Sequence, residues 1–149
     1  MITIRAGQVK DIEAIVDFQL ALAAETEGLT LDKDTVTKGV QAVFENPSKG
    51  QYYIAEENKR ILGMLLIIGE WSDWRNGTIL WIHSLYVVPK ERNKGVFNKL
   101  YQSLKEKVEV SPELGGLRLY VDKKNKNAQR IYERLGMNKD HYLMYEWLK

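Results

Sequence analysis

Hydrophobic residues recur with two different spacings along this 149-residue chain, and each spacing predicts one kind of element. Alternation of apolar and polar residues, or a short continuous apolar run between polar turns, predicts a β-strand. Six segments fit that description, at 2–4, 52–56, 61–68, 78–88, 117–121 and 141–147. The run at 61–68 is apolar on both faces, so we expect a central strand there.

Four other segments carry apolar residues every three or four positions, which is the spacing of an amphipathic helix. These helices are predicted to begin near Asp11, Asp32, Val96 and Asn125. The segment Glu25–Leu29 breaks the first helix, Pro47 lies just past the second, and Gly136 suits the end of the last. The polar segment from Glu70 to Gly77 is predicted to be a loop between two strands.

The predicted order is strand, two helices, three strands, helix, strand, helix and strand. Helices before, between and after strands predict a three-layer α/β fold around a mixed sheet. A length of 149 residues suits one core, so we expect a single domain over residues 1–149.

Composition and charge narrow the classes of function. The 22 basic and 20 acidic residues leave a net charge of only +2, which argues against a nucleic-acid partner. The absence of cysteine excludes a disulfide framework, a thiolate zinc site and a cysteine nucleophile. The start of the sequence lacks a signal-peptide pattern, and no apolar run approaches the roughly 20 residues of a membrane span. We therefore expect a cytoplasmic protein without a membrane partner.

A basic turn that contains a glycine stands between the fourth strand and the third helix. It reads Arg92-Asn93-Lys94-Gly95-Val96-Phe97 and is followed by Asn98. The first N–H groups of a helix lack intrahelical acceptors, and the helix dipole adds positive charge there. Such a turn is suited to a phosphate group, although it could equally be a solvated helix cap.

The spacing of this turn resembles the Arg/Gln-x-x-Gly-x-Gly/Ala motif of the GNAT family of N-acetyltransferases, which grip the diphosphate of acetyl-coenzyme A. Five of the six positions fit, and Phe97 departs from the small residue of the motif. A second match is Asn125-x-x-Ala128-x-x-x-Tyr132-x-x-x-Gly136. The resemblance covers nearly the whole chain and implies the acyltransferase fold, with a mixed, mostly antiparallel central sheet.

The resemblance also implies roles for individual residues. The implied co-substrate is acetyl-coenzyme A, and no metal is implied. The coenzyme would be bound by Leu85, Tyr86, Val87, Arg92, Asn93, Lys94, Gly95, Val96, Phe97, Asn98 and Asn125. Tyr132 matches the acid that protonates the departing thiolate, although its position also suits a core aromatic. Phe97 can be accommodated only if its ring turns toward the core, which its place in a helical stripe with Tyr101 allows.

An ammonium group must lose a proton before it can attack, so a base is needed. His83 lies on the strand that precedes the turn, and an ordinary imidazole titrates near neutral pH. Glu70 is the competing candidate. His83 could instead hydrogen-bond within the sheet.

Two acidic segments are predicted to flank the acceptor site, and the second also contains tryptophans. Their candidate substrate-binding residues are Glu25, Glu27, Trp71, Asp73, Trp74 and Arg75. Carboxylates and aromatic faces suit a cationic amine, whereas Arg75 would suit a substrate carboxylate. Both polyamine-like and amino-acid-like acceptors therefore stay open.

The leading hypothesis is an N-acetyltransferase that acts on a small primary amine by direct attack in a ternary complex. The alternatives are a non-catalytic acyl-coenzyme A sensor, or an acetyltransferase of protein lysines or N-termini. Dimers are common in the family, so a homodimer is a further hypothesis about partners.

Overall fold

The computed structural model describes all 149 residues, which form two compact units, Met1–Leu119 and Tyr120–Lys149. The first unit contains β1 (Thr3–Ala6), α1 (Ile12–Glu27), α2 (Lys33–Glu45), β2 (Gln51–Glu57), β3 (Arg60–Ser72), β4 (Gly77–Val87), α3 (Val96–Val110) and β5 (Leu114–Arg118). The second unit contains one helix, α4 (Lys126–Arg134). None of the helices combines the length and the apolar character that a membrane span requires. A single domain over the whole chain stays a prediction.

The five strands form one sheet in the order β1-β2-β3-β4-β5. The first four are antiparallel to their neighbours, and β5 runs parallel to β4. A two-residue turn joins β2 to β3, with positive φ at both Asn58 and Lys59, as a tight right-twisted hairpin requires. The predicted mixed, mostly antiparallel sheet of the three-layer α/β class is confirmed.

Side chains of β2 show how the sheet divides the core into two layers. Tyr52 belongs to the apolar cluster that includes Ile15 and Val16 of α1 and Val40 of α2. Tyr53, the next residue, points to the opposite face, where its hydroxyl accepts a hydrogen bond from Lys107 of α3 at 2.7 Å. Helices α1 and α2 therefore cover one face of the sheet, and α3 covers the other.

Local signals account for most helix boundaries. The Asp32 carboxylate accepts the Thr35 N–H at 2.8 Å and so caps α2, as predicted. Gly28 ends α1 at φ 65°, a left-handed conformation that favours glycine. In the second unit, Gly136 follows α4 at φ 82°, again as predicted.

Three predicted boundaries are wrong. Helix α1 continues through Glu25 to Glu27, because its backbone bonds persist until Gly28 allows the reversal. Strand β3 continues through Glu70 to Ser72, because pairing with β4 satisfies its backbone although its side chains are exposed. The loop between them is only residues 73–76. The fifth strand lies at Leu114–Arg118 rather than at 117–121, where it pairs with β4.

The predicted last strand, near His141 to Trp147, is absent. Residues 141–149 form neither helix nor strand. Alternating side chains specify a strand only when a neighbouring strand satisfies the backbone and one face is buried. Here the large apolar side chains are exposed on both sides of the alternation, including Tyr142, Leu143, Tyr145 and Trp147.

A buried ion-pair network ties the start of α1 to the sheet. Asp11 is the one buried charged residue, with 3% of its surface exposed. Its carboxylate accepts two hydrogen bonds from Arg5 of β1, at 2.7 and 3.0 Å, and one from the Gln8 N–H at 2.8 Å. Arg5 also donates to Glu56 of β2 at 2.7 Å. The bonds from Arg5, followed by that from Gln8, hold the pKa of Asp11 below its usual value.

Replacing this carboxylate should destabilise the fold. Asp11→Ala leaves a half-buried guanidinium short of acceptors, which we expect to cost about 2–4 kcal/mol of unfolding free energy at pH 7. A depressed folded-state pKa contributes stability above the unfolded pKa of about 3.9, and that contribution is lost as the pH falls. The difference in unfolding free energy between wild type and Asp11→Ala, measured by urea titration, should therefore become smaller below about pH 4. Asp17→Ala is the control, because Asp17 makes only an exposed 3.5 Å ion pair with Lys33; equal losses for both variants would contradict the assignment.

Candidate functional site

Strand β4 has a neighbour on both sides along only half of its length. Strand β5 pairs with it from Thr78 to Trp81, and no strand continues that pairing beyond Trp81. From Ile82 to Val87, β4 is bonded to β3 alone. The second half of β4 therefore presents an open edge, which can bond an extended ligand as a further strand would.

A β-bulge marks the point where the open edge begins. Leu66 of β3 pairs with Ser84, but the next residue, Ile67, pairs with Ile82. His83 is consequently the extra residue of β4, and its side chain is exposed. The Ser84 hydroxyl lies 3.5 Å from its Nδ1 atom. Bulges redirect side chains and are frequent beside active sites, and no sequence signal marked this one.

Main-chain groups of Leu85 and Val87 point toward the open edge. The Val88 N–H donates to the Leu62 carbonyl of β3 at 2.9 Å. Residues of an antiparallel strand alternate between bonding to the partner and pointing away from it. Val87 and Leu85 therefore direct their N–H and C=O groups away from β3, whereas those of Tyr86 face it. Of the three predicted backbone contacts, Leu85 and Val87 have the suitable orientation.

The open edge leads into the turn that begins α3. Gly95 is the N-cap of this helix at φ 82° and has no side chain with which to cap it. The Gly95 carbonyl accepts the first intrahelical hydrogen bond, which the Lys99 N–H donates at 3.0 Å. The three N–H groups of residues 96–98 therefore precede the ladder of intrahelical hydrogen bonds. A Cβ atom at Gly95 would meet nothing within 4 Å, which leaves room for an anion beside the helix end.

Both cations of the turn are held by carboxylates. Arg92 donates to Glu25 at 2.6 Å and through Nε to the Val87 carbonyl at 3.0 Å. Lys94 forms an ion pair with Glu91 at 3.2 Å. Asn93, between them, has a left-handed φ of 61° and an exposed side chain. The sequence indicated the cations but not their partners, because Glu25 is 67 positions from Arg92.

The aromatic ring of Phe97 lies along the flank of α3. Its centroid is 6.1 Å from that of Tyr101, one turn further along the helix. The side chain is half-buried, and Val96 beside it is fully buried. The ring thus packs beside Tyr101 in the expected helical stripe but is only partly turned into the core.

Glu70 is engaged in a cross-strand cluster. Its carboxylate accepts the indole N–H of Trp81 on β4 and a bond from Arg118 on β5 at 3.3 Å. The three residues thus link three strands just before the bulge. This arrangement favours a structural role for Glu70, and the role of His83 as the base stays a prediction.

The two predicted acceptor segments lie at different ends of β4. Glu25 and Glu27 are in the last turn of α1, and Glu25 accepts from the Tyr86 hydroxyl at 3.2 Å. Trp71 pairs with Thr78 at the other end, which is eight residues or about 25 Å away along the strand. The structure therefore does not bring the two predicted segments together.

The hairpin tip carries the remaining predicted acceptor residues. Trp71 and Trp74 are 64% and 89% exposed. The Asp73 carboxylate accepts the N–H of Trp74 at 3.0 Å, and Arg75 passes beside Gly115 of β5. These contacts are those of an exposed turn, and a role in substrate binding stays a prediction.

The second unit holds the other motif. The Asn125 side chain accepts the Ala128 N–H at 3.1 Å and so caps α4, while its contact with the coenzyme stays a prediction. Burial raises the pKa of the Tyr132 phenol, which keeps it protonated through the neutral range. No group of three or more acidic, histidine or cysteine side chains is arranged to hold a metal ion.

Comparison with known proteins decides the family. The model of the acetyltransferase (GNAT) family matches residues 18–137. The chain belongs to this acetyltransferase family. A solved structure described as a possible acetyltransferase from Clostridium difficile 630 is 41% identical, with a TM-score of 0.94 over 100% of this chain and 98% of that one. The resemblance inferred from the two motifs is thereby confirmed.

More distant solved structures share the fold. AAC(6')-Iy in complex with the bisubstrate analogue CoA-S-monomethyl-acetylneamine has a TM-score of 0.81 at 12% identity, and the match covers 100% of this chain and 99% of that one. Ribosomal-protein-alanine N-acetyltransferase from Brucella melitensis biovar Abortus 2308 has a TM-score of 0.79 at 13% identity, and the match covers 99% of this chain and 100% of that one. None of the curated protein sequences matches this chain.

The position of the Phe97 ring generates a prediction about coenzyme affinity. Phe97→Ala restores a small residue at that position of the acetyltransferase motif. Because the ring lies against Tyr101, we expect the dissociation constant for coenzyme A to change by less than about threefold. The unfolding free energy should fall by about 1–2 kcal/mol, because only part of the ring leaves water on folding. A tenfold gain in affinity, measured by calorimetry, would show instead that the ring obstructs the helix end.

Proposed function

We propose that this acetyltransferase transfers the acetyl group of acetyl-coenzyme A to the primary amine of a small molecule. One observation carries the proposal: an open strand edge at Leu85 and Val87 is followed, after the turn of residues 88–94, by an uncapped helix end at Gly95. An extended amide-containing arm that ends in a diphosphate has the hydrogen-bonding groups for both. The fit extends to charge, because Arg92 and Lys94 flank the turn.

Acetyl-coenzyme A would supply the thioester as a co-substrate. We assign the main-chain N–H groups that follow Gly95 to the diphosphate, and the groups of Leu85 and Val87 to the arm and the acyl carbonyl. Fixed backbone donors stabilise negative charge that develops on a carbonyl oxygen without reorganising. Asn93 and Asn98 are further polar groups near the diphosphate position, and Asn125 is a further contact proposed from the motif.

Transfer requires two proton movements that side chains must serve. The attacking ammonium loses a proton, which we assign to the exposed imidazole of His83 at the bulge. The nitrogen then forms the new bond to the acyl carbon while the carbon–sulfur bond breaks. The thiolate takes a proton, which we assign to Tyr132. With no cysteine in the chain, direct attack in a ternary complex is the route that this protein supports.

The acceptor is a cationic amine in this proposal. Glu25 and Glu27 lie in the last turn of α1, where the helix dipole adds negative charge; the turn itself contains no basic residue, and Arg92 pairs with Glu25 from outside it. Such a helix end favours an ammonium group. The test is release of free thiol from acetyl-coenzyme A across a panel of polyamines, amino acids, dipeptides and aminoglycosides. Tight coenzyme binding without thiol release on any amine would contradict catalysis and favour a sensor.

Tyr132→Phe tests the assignment of the acid. Loss of a general acid should lower kcat about a hundredfold or more, while coenzyme affinity changes little. Because burial raises the phenol pKa, wild-type kcat should show no loss from this group up to about pH 10. Tyr145→Phe is the matched control, since Tyr145 is 89% exposed. Turnover that is equal in the two variants would remove Tyr132 from the mechanism.

A further inference from the structure

The ion pair between Glu25 and Arg92 joins the two substrate sides of the proposed site. Glu25 belongs to α1, on the acceptor side, and Arg92 opens the diphosphate turn. Their nearest atoms are 2.6 Å apart, and both side chains are about two-fifths exposed. An exposed pair of this kind exchanges partners readily, because it contributes only about 0.2–1 kcal/mol.

Arg92 is also held by two contacts other than Glu25. Its Nε donates to the Val87 carbonyl, which is one of the groups on the open edge of β4. Its guanidinium carbon lies 5.5 Å from the centre of the Tyr86 ring. The guanidinium thus points back toward β4 and α1, and its charge is neutralised there.

Tyr86 provides Glu25 with a second partner. Its hydroxyl donates to the other carboxylate oxygen of Glu25 at 3.2 Å. The ring itself is anchored, because it is buried and packs against Phe18 of α1 at a centroid distance of 5.1 Å. Glu25 would therefore stay in place after losing Arg92, with one oxygen and its full charge available to another cation.

We infer that Glu25 exchanges one cation for another during the reaction cycle. It neutralises Arg92 until the coenzyme diphosphate binds that guanidinium group, and Glu25 then binds the acceptor ammonium group. The inference rests on the proposed function. A dianionic diphosphate competes for a guanidinium more strongly than one carboxylate does, because it offers more charge and more acceptor oxygens. The vacated carboxylate lies at the negative end of α1, where a cation is favoured. Glu25 is thereby a competitor of the coenzyme and an anchor for the amine.

Coenzyme A titrations by calorimetry at low ionic strength test the competition. Glu25→Gln removes the competing charge, so the dissociation constant should fall about two- to fivefold, which is the range of an exposed ion pair. Glu13→Gln, at the other end of α1, makes the same change of charge on an exposed side chain and should have no effect. Adding Glu25→Gln to Arg92→Gln should also have no effect, since the cation is already absent.

The amine that is turned over fastest in the thiol-release panel tests the second role. Glu25→Gln should raise the KM for that amine about tenfold or more, because a charged hydrogen bond is lost. The same variant should bind coenzyme A more tightly, and a merely structural role would not move the two constants in opposite directions.

The failures of the two proposals are distinguishable. Wild-type protein that binds no coenzyme A, or that releases no thiol with any amine of the panel, would overturn the proposed function and this inference with it. If the wild type binds coenzyme A and acetylates an amine, unchanged or weaker coenzyme binding by Glu25→Gln would overturn only the inference about Glu25. An unchanged KM for the amine would do the same.

Discussion

Everything at the proposed site depends on where β5 stops pairing with β4. Up to Trp81 the sheet is continuous, and beyond it β4 has a partner on one side only. Backbone groups without a partner strand bond to side chains, as the Val87 carbonyl does to Arg92, or to water or a ligand, so the open edge can bond an extended molecule. The bulge at His83 falls two residues beyond Trp81 and places an exposed imidazole at the start of that edge.

The helix end completes what the strand edge begins. Gly95 adopts a left-handed conformation that ordinary residues avoid, and it begins α3 after the turn of residues 88–94. The N–H groups that follow precede the ladder of intrahelical hydrogen bonds and so have no partner within the helix. The strand edge and the helix end thus offer two sets of main-chain donors, with the charged side chains of the turn between them.

Charge around these donors is partly balanced. Glu25 is paired with Arg92, and Glu91 is shared by Lys94 and Arg60. In the proposed function these carboxylates would compete with an anionic ligand. A net charge of +2 for the whole chain agrees with the proposal that oriented amides would bind the phosphate groups.

The sequence predicted the elements of this arrangement better than their extents. Periodicity found α3 and the central strand, and the two motifs identified the family because two motifs at the right separation on the right elements are far more specific than either alone. The continuation of α1 through Glu25 was missed because acidic residues at a helix end resemble a turn. The strand expected near His141 was wrong because alternation says nothing of whether a partner strand is present. The bulge at His83 and the pairing of Glu25 with Arg92 depend on tertiary register, which local patterns do not encode.

Chemical shifts of individual backbone amides, measured by nuclear magnetic resonance, test the assignment of these main-chain donors most directly. In nitrogen-15-labelled protein, addition of coenzyme A should shift the amides of Leu85, Val87 and residues 96–98, because these would gain acceptors. The amide of Tyr86, which faces β3, should move less. Largest shifts at the hairpin tip, residues 73–76, with Leu85, Val87 and residues 96–98 unchanged, would contradict the assignment of the coenzyme to the open edge of β4.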